Sequence, residues 1–589
     1  MDITKVPGQF QQLLWQSLRL NLLALLIGGL GGCGAILFRW LIYAINDLFF
    51  FQRPAIHFLS PLEHRLGPWV VLLPAAGGLL VGLITRYLAP ETKGHGVPEV
   101  MAAMAERGAR IRPRVVLAKA LASGVCIGSG GSSGREGPIV QIGSAAGSAL
   151  GQLLRLSSQD LKILVGCGAA AAVAATFNTP IAGVLFAIEL ILLEFKTRSF
   201  VPLVIASVFA TVVSRAVLGS QPAFPIPAYA FQHPGELVFY LILGLLAALI
   251  GVLFIEALYR IEDLFERLKV HPVLKPALGG LLLGGLGVFF PWIFGVGYET
   301  VSGILDQGIG EAGFSLMALL LMLAFLKIVA LSLTLGSGGS GGVFAPSLFI
   351  GAAFGGAFGI VVNLAFPLVA APYPAYALVG MAALFAAVSR ATLTSIIMLF
   401  EMTRDYNIIL PLMFACVVAD IIAWLLHPET IYTKKLARRG IRIEQDLEIN
   451  LLRTRYVGEA MTRELERISE ETPLRDVRDR ILETGHQGFP VVDRQGRLVG
   501  IITGRDVMDQ IKRDRNLPAG AVAQRRLIVA YPDETLDLAW ERMGRHGIGR
   551  LPVVAREEPQ RLVGFLTKGD LIRFGKGEEQ SAAGADGIQ

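Results

Sequence analysis

The sequence predicts an all-α polytopic membrane domain, built from two related halves with broken helices, followed by a smaller α/β domain. Three observations predict this: long apolar runs without charge, a duplicated glycine-rich segment, and a change of composition near residue 440.

The chain has 589 residues, of which 53% are hydrophobic and 17% charged. Soluble domains carry roughly a quarter charged residues. The charges are also unevenly placed. Leu20–Phe38, Trp69–Thr85, Ile163–Ile188, Val238–Ile255 and Ile328–Ser389 contain no Asp, Glu, Lys or Arg. Runs of roughly 17–25 apolar residues are long enough to cross a lipid bilayer as helices. These runs also lack the polar face of a soluble helix.

The segment GSGGSSGREGPIVQIGSAAGSALG (Gly128–Gly151) recurs as GSGGSGGVFAPSLFIGAAFGGAFG (Gly336–Gly359), with thirteen of 24 residues identical at an offset of 208. The membrane part therefore divides into halves at about 15–220 and 235–440. Transporter folds are often built so, with the site where the repeats meet. Inverted halves are expected, although the residues alone leave their orientation open. Each copy reads as an unwound glycine-rich loop leading into a helix. Pro138 and Pro346 sit where a first turn tolerates proline. Irregular backbone at membrane depth persists only where protein or a water-filled cavity covers it. The later glycines, Gly143, Gly147 and Gly151, read instead as a close contact of small residues between helices.

A helix N-terminus directs unpaired N–H groups, and about half a positive charge, at whatever lies before it. An anion is then held without a fixed full charge and can leave again. Two such ends are expected at 135–138 and 343–346, and a third in KGHGVPEV (Lys93–Val100), where Pro98 opens a helical pattern. Such ends with almost no acidic groups favour a small inorganic anion, whereas a cation path would want rings of carboxylates or carbonyls. The exception is Glu136, at the head of one of these helices. Its carboxylate can compete with the ion as a gate, or it can simply cap its own helix. The matching residue in the second copy is Phe344, so two different gates on one pore are expected.

The net charge is +6, and Lys434, Lys435, Arg438, Arg439 and Arg442 cluster just after the membrane part. This reads as a positive-inside, cytoplasmic signature or as a solvated helix face. No basic domain with interleaved aromatics occurs, so no nucleic-acid partner is expected. Cys33, Cys126, Cys167 and Cys416 lie in apolar stretches and none has metal-ligand spacing. Neither a disulfide framework nor a metal is expected. The start, MDITKVPGQFQQ, shows no cleavable signal pattern, and no lipidation motif is evident.

With these residues in view, the chain resembles the CLC chloride channels and proton/chloride exchangers. The likeness rests on GREGP (134–138), GGVFAP (341–346), FNTPIAGVLFAIE (177–189), LFEMTRDYNIILP (399–411), IYTKKLARRG (431–440) and, in part, KGHGVPEV (93–100). It spans about 15–440 in the right order. It implies a homodimer with one pore per subunit, in a prokaryotic inner membrane with both termini cytoplasmic. Chloride transport is implied, as a voltage- or pH-gated channel or, alternatively, a proton-coupled antiporter. By the same resemblance Glu136 is the external gating glutamate, and His95, Gly96, Arg135, Gly137, Val343, Phe344 and Tyr432 bind the anion. Tyr432 would offer its hydroxyl from the inner side, unless it is an interfacial anchor. Lys119 resembles a buried lysine that adds positive potential, unless it snorkels.

Two positions depart from the family pattern. His95 stands where a serine that donates to the anion is usual. An imidazole can donate too, but it is larger and titrates near neutral pH; it can also point away and leave the backbone to bind. Leu190 stands where exchangers often carry an inner proton-loading acid. Glu189 beside it is expected to be structural, and Glu194, one turn on, is a possible substitute.

After residue 440 a second repeat appears. GFPVVDRQGRLVGIITGRD (Gly488–Asp506) echoes RLPVVAREEPQRLVGFLTKGD (Arg550–Asp570), each reading as strand, turn, strand and Thr-x-x-Asp into a helix. Amphipathic helices are expected before them, near 473–484 and 535–546. These units resemble a tandem CBS pair. The expected domains are 1–440 in the membrane, a linker at 441–455, CBS units at 456–515 and 516–575, and a disordered tail at 576–589. In such pairs Thr503, Asp506, Thr567 and Asp570 resemble contacts to an adenine nucleotide. The alternative is a purely structural pair that docks on the membrane domain. An enzyme is not expected, on the reading that the chain holds no HExxH, CxxC or Gly-x-Ser-x-Gly nucleophile motif. A CBS-bearing cation transporter is the better rival, but it predicts clustered intramembrane carboxylates.

Overall fold

A computed structural model describes residues 8–52, 60–63, 66–220, 234–310, 312–441, 455–463 and 465–575. Nearly all of the expected linker, Arg442 and the expected tail lie outside them. The chain forms two compact units, Met1–Ile443 and Glu444–Gln589.

The first unit is helical throughout. Its first half comprises α1 (Gly8–Phe51), α2 (Leu72–Tyr87), α3 (Val97–Glu106), α4 (Arg114–Gly128), α5 (Glu136–Leu153), α6 (Ser158–Phe177), α7 (Pro180–Phe186, continued by a π-turn, Ala187–Leu192) and α8 (Thr197–Leu218). The second half comprises α9 (Glu236–Arg267), α10 (Lys275–Phe289), α11 (Tyr298–Leu305), α12 (Phe314–Gly336), α13 (Phe344–Ala365), α14 (Tyr373–Ser389), α15 (Thr392–Thr403) and α16 (Ile409–Leu426). A short α17 (Thr433–Ala437) follows. Eight helices among the described residues are long and apolar enough to cross a membrane. The short ones start where glycine and proline interrupt the apolar runs.

Each first-half helix has a counterpart in the second, and the contacts between halves are reciprocal. A Cβ on Gly78 of α2 would stand 2.2 Å from the Pro276 carbonyl oxygen of α10, and one on Gly280 would stand 2.1 Å from that of Pro74. Equivalent residues Gly134 and Gly342 pair antiparallel, each amide donating to the other's carbonyl at 2.8 and 2.6 Å. Antiparallel pairing of equivalent residues requires a local two-fold axis, so the halves run past it in opposite senses. The same axis places Glu189 at the head of α15, where it accepts from the Leu393 and Thr394 amides at 3.0 and 2.8 Å. Glu401 returns this at the head of α7, accepting from Ile181 and Ala182 at 3.1 and 2.8 Å. Each carboxylate satisfies amides that a helix start leaves unpaired.

Gly143 and Gly147 face α6, as their spacing suggests. A Cβ on Gly143 would stand 2.3 Å from the Gly168 carbonyl oxygen, and on Gly147 2.3 Å from that of Leu164. Gly351 repeats this against Gly380 of α14 at 2.4 Å. Close backbone approach of this kind locks α5 and α13 to their neighbours, which holds their N-termini in place.

The second unit holds two small sheets. β1 (Ile468–Ser469), β2 (Gly488–Val492) and β3 (Leu498–Thr503) form one, with β2 between the others; β4 (Arg550–Val554) and β5 (Leu562–Thr567) form the second. Helices Leu474–Thr484 and Leu536–His546 match the two amphipathic segments. The two cores exchange their leading helices. Val457 and Ala460 pack with the second repeat's Leu551 and Leu566, while Ala519 packs with the first repeat's Phe489 and Ile502.

Candidate anion pathway

Three glycine-rich loops converge at the centre of the first unit. Gly94 N–H donates to Gly339 O at 2.9 Å, and Gly341 N–H donates to Gly94 O at 3.3 Å. With the Gly134–Gly342 pair, these bonds tie the loops before α3, α5 and α13 into one cradle. A Cβ on Gly137 would stand 2.1 Å from the His95 carbonyl oxygen and 3.0 Å from the Gly342 Cα, so only glycine lets the three segments meet. Gly96 precedes α3 at φ 87°, in the left-handed region that glycine adopts without strain. The first helical bonds are Ile139 N–H to Arg135 O and Ser347 N–H to Val343 O. The amides of Glu136, Gly137, Phe344 and Ala345 therefore precede the helical ladder, the arrangement that attracts anions.

Contrary to the expectation above, Gly-x-Ser-x-Gly spacings do occur, centred on Ser132 (130–134) and Ser340 (338–342). The Ser340 hydroxyl donates to Thr92 O at 2.6 Å and so supports backbone. Lys119 is fully buried; its ammonium donates to Thr92 O and Gly94 O at 2.9 and 2.8 Å. It does not snorkel. It supports the same loop and places its Nζ beside the cradle.

Glu136 is 3% exposed. One carboxylate oxygen accepts from the Tyr298 hydroxyl, and the other from the Ala345 amide at 3.4 Å. The side chain thus reaches the head of α13. Arg135 lies beside it, with Nε 3.9 Å from the carboxylate and the guanidinium 5.3 Å from the Tyr298 ring centre. Phe344, its counterpart, is buried against Phe177 and Phe385, with ring centres 5.0 and 4.4 Å away. Val343 is buried as the residue before α13.

His95 is buried, its ring edge-on to Tyr259 at 6.2 Å, and its Nδ1 has no partner among the described residues. The Tyr259 hydroxyl donates to Ile431 O at 2.7 Å, and Ile431 N–H donates to Val388 O at 2.9 Å. Tyr432 is consequently held inside the protein, 1% exposed, rather than at an interface. The basic cluster after it is not a freely solvated face. Lys434 pairs with Glu256, Arg438 with Asp263, and Arg439 with Glu99 at 2.6 Å. These pairs pin α17 to α9 and α3.

Leu190 is 2% exposed, inside the π-turn. Its neighbour Glu189 caps α15, and Glu194 lies half-exposed in an ion pair with Lys196. In the second unit, Thr503 and Asp506 form a reciprocal capping box, with Asp506 accepting from the Thr503 amide at 2.9 Å and hydroxyl at 2.6 Å. Thr567 and Asp570 repeat these distances. The second oxygen of Asp570 accepts from Arg573 at 2.7 Å, whereas that of Asp506 has only Gln524 at 3.4 Å. The first pair therefore retains a carboxylate oxygen with no short bond among the described residues.

Sequence reasoning missed Tyr298 and Lys327. Lys327 lies 208 residues after Lys119, the offset of the glycine-rich repeat. It too is fully buried, donating to Ile293 O and Gly295 O at 3.1 and 3.0 Å. The loop it holds turns at Gly297, φ 87°, into α11, as Gly96 turns into α3. The signal was present in Gly-x-Gly at 94–96 and 295–297, but two glycines are too weak a match to find without the fold.

A family profile described as voltage gated chloride channel matches residues 77–424, and the CBS domain profile matches 457–513 and 519–577. A ClcB-like protein of Ralstonia nicotianae is 36% identical over 70% of this chain and 95% of its own length. The H(+)/Cl(-) exchange transporter ClcA of Vibrio cholerae is 33% identical over 71% of this chain and 88% of its own. Among solved structures, a slow cyanobacterial Cl-/H+ antiporter superposes with a TM-score of 0.64 at 27% identity, covering 72% of this chain and 98% of that one. The cradle of helix N-termini, the two related halves and these likenesses agree: the chain is a multi-pass membrane protein of the CLC family, which transports anions, and it carries a C-terminal CBS pair.

Proposed function

We propose that this protein conducts chloride through the cradle between α3, α5 and α13, with Glu136 as the gate. The observation that carries this reading is the Glu136 carboxylate lying on the Ala345 amide, where a permeant anion would be bound. His95, Gly96, Arg135, Gly137, Val343, Phe344 and Tyr432 surround the path, and Lys119 supplies positive potential to it. Protonation of Glu136 would remove its charge and release the α13 head to the ion.

Two modes of transport follow from such a gate. Passive conduction, voltage- or pH-gated, is favoured by Leu190, since proton exchange needs an ionisable relay through an apolar region. Glu189 is occupied at α15 and Glu194 is paired at the surface. Proton-coupled antiport is the second reading, favoured by the exchanger and antiporter among the similar proteins. Proteoliposomes with chloride and pH electrodes separate the two. Under a chloride gradient with voltage clamped at zero, a channel moves chloride alone. Sustained uphill proton movement, abolished by Glu136→Gln, would make it an exchanger. Cation flux with no anion flux would favour the cation-transporter reading instead.

The functional unit is proposed to be a homodimer in a prokaryotic inner membrane, with both termini cytoplasmic and no enzymatic activity. Exposed Ile181 and Leu393, equivalent residues heading α7 and α15, support an apolar contact face there. The CBS pair, a module that commonly binds adenine nucleotides, is proposed to hold one at Thr503 and Asp506, with Thr567 and Asp570 contributing less. Its units are taken as 456–515 and 516–575, after a membrane domain of 1–440.

A further inference from the structure

We propose that Tyr298 is the latch of the Glu136 gate: carried by a loop that Lys327 braces, its hydroxyl holds the ionised carboxylate over the head of α13 and sets the pH at which the path opens. This deepens the gate reading and rests on it.

Tyr298 is the first residue of α11, a helix with no direct part in the anion cradle. Four features fix where its hydroxyl points. Gly297 turns the chain at φ 87° immediately before it. Lys327 ties the carbonyls of Ile293 and Gly295, four and two residues before that glycine. The Phe349 ring lies 4.9 Å from the same ammonium and closes its other side. The Arg135 guanidinium lies over the phenol ring, restraining its plane. Ser60 also donates to Glu299 at 2.8 Å, which anchors the next residue.

A phenol donates strongly to a carboxylate and much less to a neutral carboxylic acid. The hydroxyl therefore stabilises the ionised, closed form selectively. Without it the carboxylate retains the long Ala345 bond, an interaction with its own amide and the more distant Arg135. The charged and titratable groups facing this pair are Arg135 on α5, Arg39 and Tyr43 on α1, Glu299 on α11, Lys327 on α12 and Tyr432 ahead of α17. None of them supplies a second short bond to Glu136 among the described residues. In the first half the residue matching Tyr298 is Val97, which has no hydroxyl, so the latch acts on one gate only.

The test is chloride efflux from proteoliposomes across external pH, for wild type, Tyr298→Phe, Glu136→Gln and the double variant. Phenylalanine keeps the ring beneath Arg135. Tyr298→Phe is expected to move the midpoint of acid activation about one pH unit upward, the effect of losing one charge-assisted hydrogen bond. The double variant is expected to match Glu136→Gln alone, because the latch works only through that carboxylate. A Tyr298→Phe profile superposable on wild type would overturn the latch. So would an equal change of flux in both Glu136 backgrounds, which a merely structural role would give. A pH response that survives Glu136→Gln overturns the gate reading itself, and is seen without any Tyr298 variant.

Discussion

The two glycine-turn modules beside the pathway share a skeleton and differ in what they offer the ion. In the first half, Lys119 ties the carbonyls of Thr92 and Gly94 before Gly96 and α3; in the second, Lys327 ties those of Ile293 and Gly295 before Gly297 and α11. Where the first carries His95 and Val97, the second carries Val296 and Tyr298. Glu136 and Phe344 are unequal counterparts in the same way. The duplicated backbone supplies equivalent, amide-rich helix heads, while the side chains on them are unequal; on the proposed gating, the two mouths of one path would then behave differently.

The sharpest way to break this comparison is to exchange the gates' chemistry. Glu136→Gln should abolish the pH dependence of chloride flux, whereas Phe344→Leu should alter the rate and leave the pH dependence in place. A pH response lost in both would mean that the two positions do not differ in kind.

The braces come next. Lys327→Met leaves the buried Ile293 and Gly295 carbonyls unpaired, at about 2 kcal/mol or more of stability, whereas after Lys119→Met the Thr92 and Gly94 carbonyls still accept from Ser340 and Gly341. Thermal unfolding in detergent should show the larger loss for Lys327→Met. Chloride affinity, read by calorimetry on whatever folds, should fall for Lys119→Met more than for Lys327→Met, because only Lys119 supports the anion cradle. Equal losses of affinity would make both lysines structural.

A smaller effect is expected at the turns. His95→Ser replaces an imidazole with a hydroxyl donor and should shift the relative permeability of chloride, bromide and nitrate. Val296→Ser, its counterpart, should not. Unchanged selectivity in both would mean that the imidazole does not reach the ion.

The smallest concerns the second unit, itself a pseudo-symmetric pair. Asp506→Ala and Asp570→Ala each remove a helix cap, at about 1 kcal/mol. Calorimetry with ATP, ADP and AMP on the full protein should show that Asp506→Ala weakens binding more, since Arg573 already occupies Asp570. Equal weakening would remove the distinction between the two pairs.

Much of the fold was legible because its signals are local. Apolar runs, the 24-residue repeat and the two strand–turn–strand units can each be read in a short window. Glu136 was legible because a lone acid among glycines is conspicuous. Lys119 was ambiguous, because a buried and a snorkelling lysine look alike in sequence and differ only in what surrounds the ammonium. Glu189 was read as structural without its partner, since the amides it caps belong to residues 204 and 205 positions later.

What the sequence by itself determined is the membrane class, the duplication, the glycine-opened helix heads and the inequality of Glu136 and Phe344. These follow from composition and from residue types at short spacing, which dictate local backbone whatever the rest of the chain does. Only the tertiary structure decided that Glu136 lies on α13, that Tyr298 holds it from 162 residues away, and that Lys327 repeats Lys119. The physical reason is that two opposed halves close about a local two-fold axis. Closure brings distant helix ends within hydrogen-bonding distance, and no stretch of sequence contains both partners.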